Sequence, residues 1–255
     1  MENETAVEIA SIIQKMFPEE EGYIHGHGYM GGLLEGRYKD YSHCVAVGKR
    51  LDDAIIDSII KGPNAAYHRL YEEVNRELGE RTAALSEALN SRGIRSLAVV
   101  PTMSDSEIEA RHMETLSSDF SHKMAATRAG LGWIGKTDLF ISERFGPRLR
   151  LATVLADSPL AASATPVNES RCGDCRVCVE ACPAGAANGR SWNVHSSRDD
   201  FYDAFKCRET CRDLTKKRLG INASLCGICV SVCPVGKGLR RDEGAPRRDK
   251  GERHG

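Results

Sequence analysis

Nine of the ten cysteines in this chain of 255 residues fall between Cys172 and Cys233. They open as Cys172-x2-Cys175-x2-Cys178-x3-Cys182-Pro183 and close as Cys226-x2-Cys229-x3-Cys233-Pro234. In the first spacing, three closely set thiolates hold one 4Fe-4S cluster and the fourth cysteine, before proline, reaches another. Two-residue gaps carry the backbone around a cube of iron and sulfide, so that successive thiolates point at different irons. The proline fixes φ and turns the last cysteine away. The second half is one cysteine short, and Cys207 or Cys211 upstream can complete it.

Crossing the fourth cysteines gives two ligand sets. One takes Cys172, Cys175, Cys178 and Cys233; the other takes Cys182, Cys226, Cys229 and either Cys207 or Cys211. Zinc needs only four ligands and pairs CxxC with CxxC or with histidines, which leaves the Cys-Pro endings and the matched second half without a use. A disulfide framework belongs to small secreted domains. The expectation is a ferredoxin-like domain with two 4Fe-4S clusters.

Hydrophobic residues at 41% and charged residues at 28% describe a chain that can bury a core of its own. A net charge of −1 gives no electrostatic reason to expect DNA or a membrane surface as partner. No apolar run approaches the ~20 residues of a membrane span. The opening MENETAVEIASIIQKMF is acidic where an export signal is basic. Reduced cysteines without such a signal predict a cytoplasmic location.

Thr5 with Glu8 reads as a capping box, followed by helical spacing over residues 5–17. The glycine-rich GYIHGHGYMGGLLEG reads as a mobile loop with exposed His25 and His27, in preference to a metal or cofactor contact by that pair. Residues 42–48 read as a buried strand in which Cys44 is a small hydrophobe. Residues 51–61 read as a helix stopped by Gly62-Pro63, residues 64–92 as a long helix with a break allowed at Gly79, and IRSLAVVP as a second buried strand. Residues 102–118 are polar and carry no clear period. A helix over 120–129 leads into AGLGWIGK, and residues 137–142 and 148–156 read as a β-hairpin across Phe145-Gly146-Pro147. The divisions predicted are residues 1–163, residues 164–238 with the cysteines, and a charged, disordered tail over 239–255.

Gly130 to Thr137 satisfies the written pattern G-x-x-x-x-G-K-[ST]. That loop binds nucleotide only between an entering strand and a leaving helix. Here the flanks are reversed, and Trp133 would crowd a phosphate. The glycines either let backbone approach a flat group closely or make a tight turn.

The run His122-Lys123, Ala125-Ala126, then Ala129 to Lys136, the later TVLADSPL, the YDAFKC at Cys207 and both cysteine runs together resemble the epoxyqueuosine reductase family. The resemblance is specific over about 119–237 and loose before that. It implies an α+β fold, a nitroreductase-like α/β sandwich domain followed by the two-cluster domain, with electrons passing through both clusters to a cobalamin. It implies an oxidoreductase that reduces the epoxide of a modified tRNA base, supplied by a ferredoxin or flavodoxin. It places Lys123, Gly130, Gly132, Trp133, Gly135 and Lys136 on the corrinoid and selects Cys207 as the eighth ligand. The family's DSAPxxER segment has no gapless counterpart: its aspartate falls at Leu116, its last two residues become His122 and Lys123, and Asp119 lies out of register. His122, Asp119 and Tyr41 are the candidate proton donors. The family's C-terminal helical-repeat region, which grips tRNA, has no counterpart after Pro234. These departures predict a short relative with the electron-transfer parts retained and the substrate lost or exchanged. The alternative is an electron-transfer or activator protein with no substrate of its own.

Overall fold

The computed structural model describes residues 2–102 and 110–237. The helices are α1 (Glu2–Met16), α2 (Asp53–Ser58), α3 (Ala65–Asn90), α4 (Ala110–Thr115), α5 (His122–Arg128), α6 (Val177–Glu180), α7 (Ala204–Leu219) and α8 (Ile228–Val232). The strands are β1 (Tyr23–Tyr29), β2 (His43–Arg50), β3 (Ser96–Val99), β4 (Gly132–Ile134), β5 (Phe140–Ser142) and β6 (Leu149–Ala156). Four of them form an antiparallel sheet in the order β1-β2-β6-β3, and β4 and β5 pair in a small second sheet.

The two-residue period of a strand sorts the core into two layers. Val45 and Val47 of β2 join Ala152, Val154 and Ala156 of β6 on the face covered by α1 and α3 through Ile9, Ile13, Leu78, Leu85 and Leu89. Cys44 and Ala46 point the other way, with Leu155, to meet Ala125, Ala126 and Ala129 of α5. The small residues on α5 let it lie close to the sheet. Asn64 caps α3 by accepting from the Tyr67 amide, and the helix runs through Gly79 without a break.

β1 corrects the reading of its segment as a mobile loop. His25 and His27 lie in a strand opposite Val47 and Val45 and are half-buried, and burial lowers the pKa of both. The glycines there answer a tertiary demand: a Cβ at Gly26 would stand 2.6 Å from the Ala129 carbonyl oxygen, and one at Gly28 2.9 Å from the Arg128 backbone. Helix α5 needs that space.

Three further expectations change. Helix α1 begins at Glu2, so Thr5 lies inside it and not at its start. Helix α2 covers only Asp53–Ser58, capped by Asp52 accepting from the Ile55 amide. The predicted hairpin is two strands of different sheets: β5 pairs back to β4, and β6 enters the centre of the large sheet. The turn itself exists, with Gly146 at φ 57° facing the Val235 carbonyl, where a Cβ would clash at 1.9 Å. It redirects the chain where a hairpin would fold it back. Residues 238–255, where the disordered tail was expected, lie outside the described residues.

The cysteine region packs onto this sandwich. Leu225 and Val230 enter the larger core. Gly227, at φ 83°, sits where a Cβ would press the Tyr67 ring and Ile59. Among the described residues no helix is long and apolar enough to cross a membrane.

Candidate metal centre and adjoining cavity

The cysteine loops lie near enough to act on one another electrostatically. The Cys233 thiol is pushed up to about 11, first by burial and then by the nearby Cys178, Cys172 and Cys175. Burial also raises Cys229, whose electrostatic neighbours are Cys226, Cys207, Cys178 and Cys182. Cys178 is a neighbour common to both thiols. Cys211 is buried on α7 with its sulfur 3.8 Å from that of Cys207, and it also hydrogen-bonds Cys226. The Cys211 thiol beside it lowers the Cys207 pKa to about 6, against the opposing effect of burial. Cys44 lies apart on β2, buried, its thiol raised to about 12 by desolvation. Among the described residues no three histidine, cysteine or acidic side chains close on a single ion-sized point. A donor set made wholly of cysteine fits iron–sulfur clusters.

The Gly130–Thr137 segment enters from a helix and leaves as a strand, as its sequence flanks predict. Gly130 takes φ 69° against Ala164 and Thr165, and a Cβ at Gly132 would sit 2.0 Å from the Ile141 carbonyl oxygen. Trp133 and Lys136 are both buried. The Trp133 indole N–H donates to Cys172 Sγ at 3.4 Å, and Lys136 Nζ donates to the Gly173 carbonyl at 2.7 Å. Gly135 brings the backbone against the same loop, its Cβ position 3.6 Å from Cys172 Sγ. Lys123 pairs with Asp138 at 2.5 Å and also donates to its carbonyl at 2.9 Å. The structure therefore gathers these six residues around the β4–β5 turn, four of them against protein groups of the turn and the Cys172 loop.

A cavity of about 360 Å³ opens where the sandwich meets the second cysteine group. Its wall includes Arg208, which follows Cys207, and Ser224, two residues before Cys226. Tyr38, Val99, Met113 and Phe120 make it largely apolar, and Asp119, His112 and His122 are among its polar residues, with Arg37 and Arg208. His122 is held on both sides: its Nε2 donates to the Val100 carbonyl at 3.0 Å and its Nδ1 accepts from the Thr153 hydroxyl at 2.9 Å. Burial lowers its pKa to about 4, so the imidazole is neutral. Asp119 meets Nε2 of His112 at 3.2 Å. His112 is buried, and its Nδ1 has no hydrogen-bond partner among the described residues. Tyr41 lies elsewhere, under the Arg95 guanidinium at 5.2 Å, and does not line the cavity. Sequence reasoning missed His112 and Arg208. His112 lies in a polar stretch without periodicity, and only the fold brings α7 to it.

Residues 171–236 match the 4Fe-4S double cluster binding domain. The epoxyqueuosine reductase of Escherichia coli (strain K12) is 25% identical over 239 residues, 91% of this chain and 58% of the relative. The chain is similar in sequence to epoxyqueuosine reductases. The epoxyqueuosine reductase from Bacillus subtilis superposes with a TM-score of 0.55 at 17% identity, over 90% of this chain and 65% of that one. A reductive dehalogenase whose structure suggests a mechanism for B12-dependent dehalogenation superposes with a TM-score of 0.60 at 16% identity, over 83% and 29%. These two likenesses show a shared fold of mixed helix and sheet. The chain spans about half the length of the curated relatives it matches, from 38% to 58% in three of them.

Proposed function

We propose that this relative of the epoxyqueuosine reductases is an iron–sulfur oxidoreductase, in which two 4Fe-4S clusters deliver electrons to a group reduced in the cavity beside Cys207 and Cys226. One cluster takes Cys172, Cys175, Cys178 and Cys233, and the other Cys182, Cys207, Cys226 and Cys229. The observation that carries this reading is the cavity wall, which includes Arg208, next to Cys207, and Ser224, two residues before Cys226. Clusters carry one electron at a time, so two in series suit a net two-electron reduction. Asp119 orients His112, and that pair is the proposed proton source; His122, engaged through both nitrogens, supports the wall.

The relatives suggest cobalamin as the group, and it would supply two-electron reduction at its metal when bound. The His112 Nδ1, which has no hydrogen-bond partner among the described residues, and the apolar side chains of Tyr38 and Phe120 fit the reacting face of such a group. A whole corrinoid would extend beyond the enclosed volume, which is in the range of a small ligand site. Lys123, Gly130, Gly132, Trp133, Gly135 and Lys136 would then support the site from behind, through the first ligand loop. The nitroreductase-like character of the sandwich and the boundary near residue 164 belong to this proposal, as do a cytoplasmic location and a ferredoxin or flavodoxin donor. One epoxyqueuosine reductase has been solved with a tRNA-Tyr stem loop, and tRNA is accordingly the macromolecular partner to test.

Anaerobic titration of the reconstituted chain with cobalamin, followed in the visible range, tests the reading. Perturbed corrinoid bands, abolished by Phe120→Arg in the cavity wall, are expected. Unchanged bands with intact clusters would favour an electron-transfer protein without a substrate of its own. A tRNA shift assay then separates epoxide reduction on tRNA from an exchanged substrate.

A further inference from the structure

Lys136 is 4% exposed, and among the described residues its ammonium has no carboxylate partner; it donates to the Gly173 carbonyl between two cysteines of the first run. A buried cation without a counter-charge is costly. Three neighbours in the same stretch face the same loop. Trp133 donates to Cys172 Sγ, Gly135 lets the backbone approach that sulfur, and Thr137 hydrogen-bonds Cys178. Arg148 offers a contrast on the other cysteine group. It too is buried, with Nη2 donating to the Ser231 carbonyl at 3.3 Å between Cys229 and Cys233, but Asp53 and Asp57 neutralise it.

We infer that the Trp133–Thr137 stretch tunes the cluster held by the Cys172 loop, with Lys136 as its counter-charge, and raises that cluster's reduction potential selectively. This rests on the ligand sets proposed above. A cluster ligated by thiolates is net negative, and more so once reduced, so a nearby cation and N–H donors to sulfur favour the reduced form. The G-x-x-x-x-G-K-T pattern then has a use unrelated to phosphate: its glycines bring the turn against the sulfur, and its lysine supplies charge.

The test is a redox titration of the anaerobically reconstituted full chain, followed by electron paramagnetic resonance. Lys136→Met is expected to move one of the two clusters about tenfold toward its oxidised form, which for a one-electron couple is about 59 mV. Trp133→Phe keeps the ring, loses the N–H, and is expected to shift the same cluster by less. Iron and sulfide content should stay at the level of the unsubstituted protein. Unshifted potentials in both variants at full iron content would overturn the proposal, as would equal shifts of both clusters. If Lys136→Met fails to hold iron, Trp133→Phe alone decides. Failure of the unsubstituted chain to bind clusters would instead overturn the ligand reading.

Discussion

The sandwich and the cysteine region reach order by different routes. In the sandwich, both faces of the large sheet are covered, and residues from α1, α3 and α5 bury apolar side chains against it. In the cysteine region, α6 buries no residue and the 16-residue α7 buries only Cys211 and Thr215. Apolar burial can hold the first together. Helices α6 and α7 have too little of it, so metal–thiolate bonds are expected to hold them, where ligand binding is also folding free energy, whereas α8 buries Ile228 and Val230. The cysteine region's own small cluster around Trp133, Trp192 and Phe201 lies where that region meets the β4–β5 turn.

The largest expected effect sharpens this contrast. Stripping iron with a chelator should abolish amide protection in α6 and α7 while leaving β2, β6 and α3 protected in hydrogen exchange. Uniform loss across both regions would break the contrast. Single substitutions should divide in the same way: Cys207→Ser loses about half of the bound iron, whereas Cys211→Ser keeps it. Full iron in the Cys207 variant would transfer the ligand role to Cys211.

Within the sandwich, Leu85→Ala should cost about 2–5 kcal/mol in chemical denaturation, because the side chain is fully buried between α3 and the sheet. It should leave iron content unchanged. Acid should act through His122. Its folded pKa of about 4 lies below the ordinary 6.5, so the unfolded chain binds its proton first. Stability is therefore full above about pH 6.5 and falls as pH drops toward 4, by at most about 3 kcal/mol from this group. His122→Asn should flatten that window; an unchanged slope would place the acid sensitivity elsewhere, as at His25 and His27. Gly26→Ala, which pushes a methyl toward the Ala129 carbonyl, should cost about 1–3 kcal/mol by displacing α5.

What could be read in advance follows from the range of each signal. The cysteine spacing encodes its chemistry locally, and the long helix α3 and strand β2 carry their period in a few residues each. The glycines of β1 misled because their reason is another element: α5 crosses the strand, and no neighbour in sequence announces it. Gly146 marked a real turn, but the destinations of its two arms depend on which sheet has room for them. The reversed flanks of the Gly130–Thr137 stretch were enough to set aside a phosphate loop, yet its contact with Cys172 spans 39 positions. The cavity was the least legible feature. His112, Asp119 and Arg208 meet only because α4, the start of α5 and α7 come together in three dimensions.

The most direct test is quantification of iron and acid-labile sulfide in anaerobically purified, reconstituted protein. The account predicts about eight of each per chain, with the broad visible absorbance of 4Fe-4S clusters. Colourless protein holding zinc and no inorganic sulfide would contradict it.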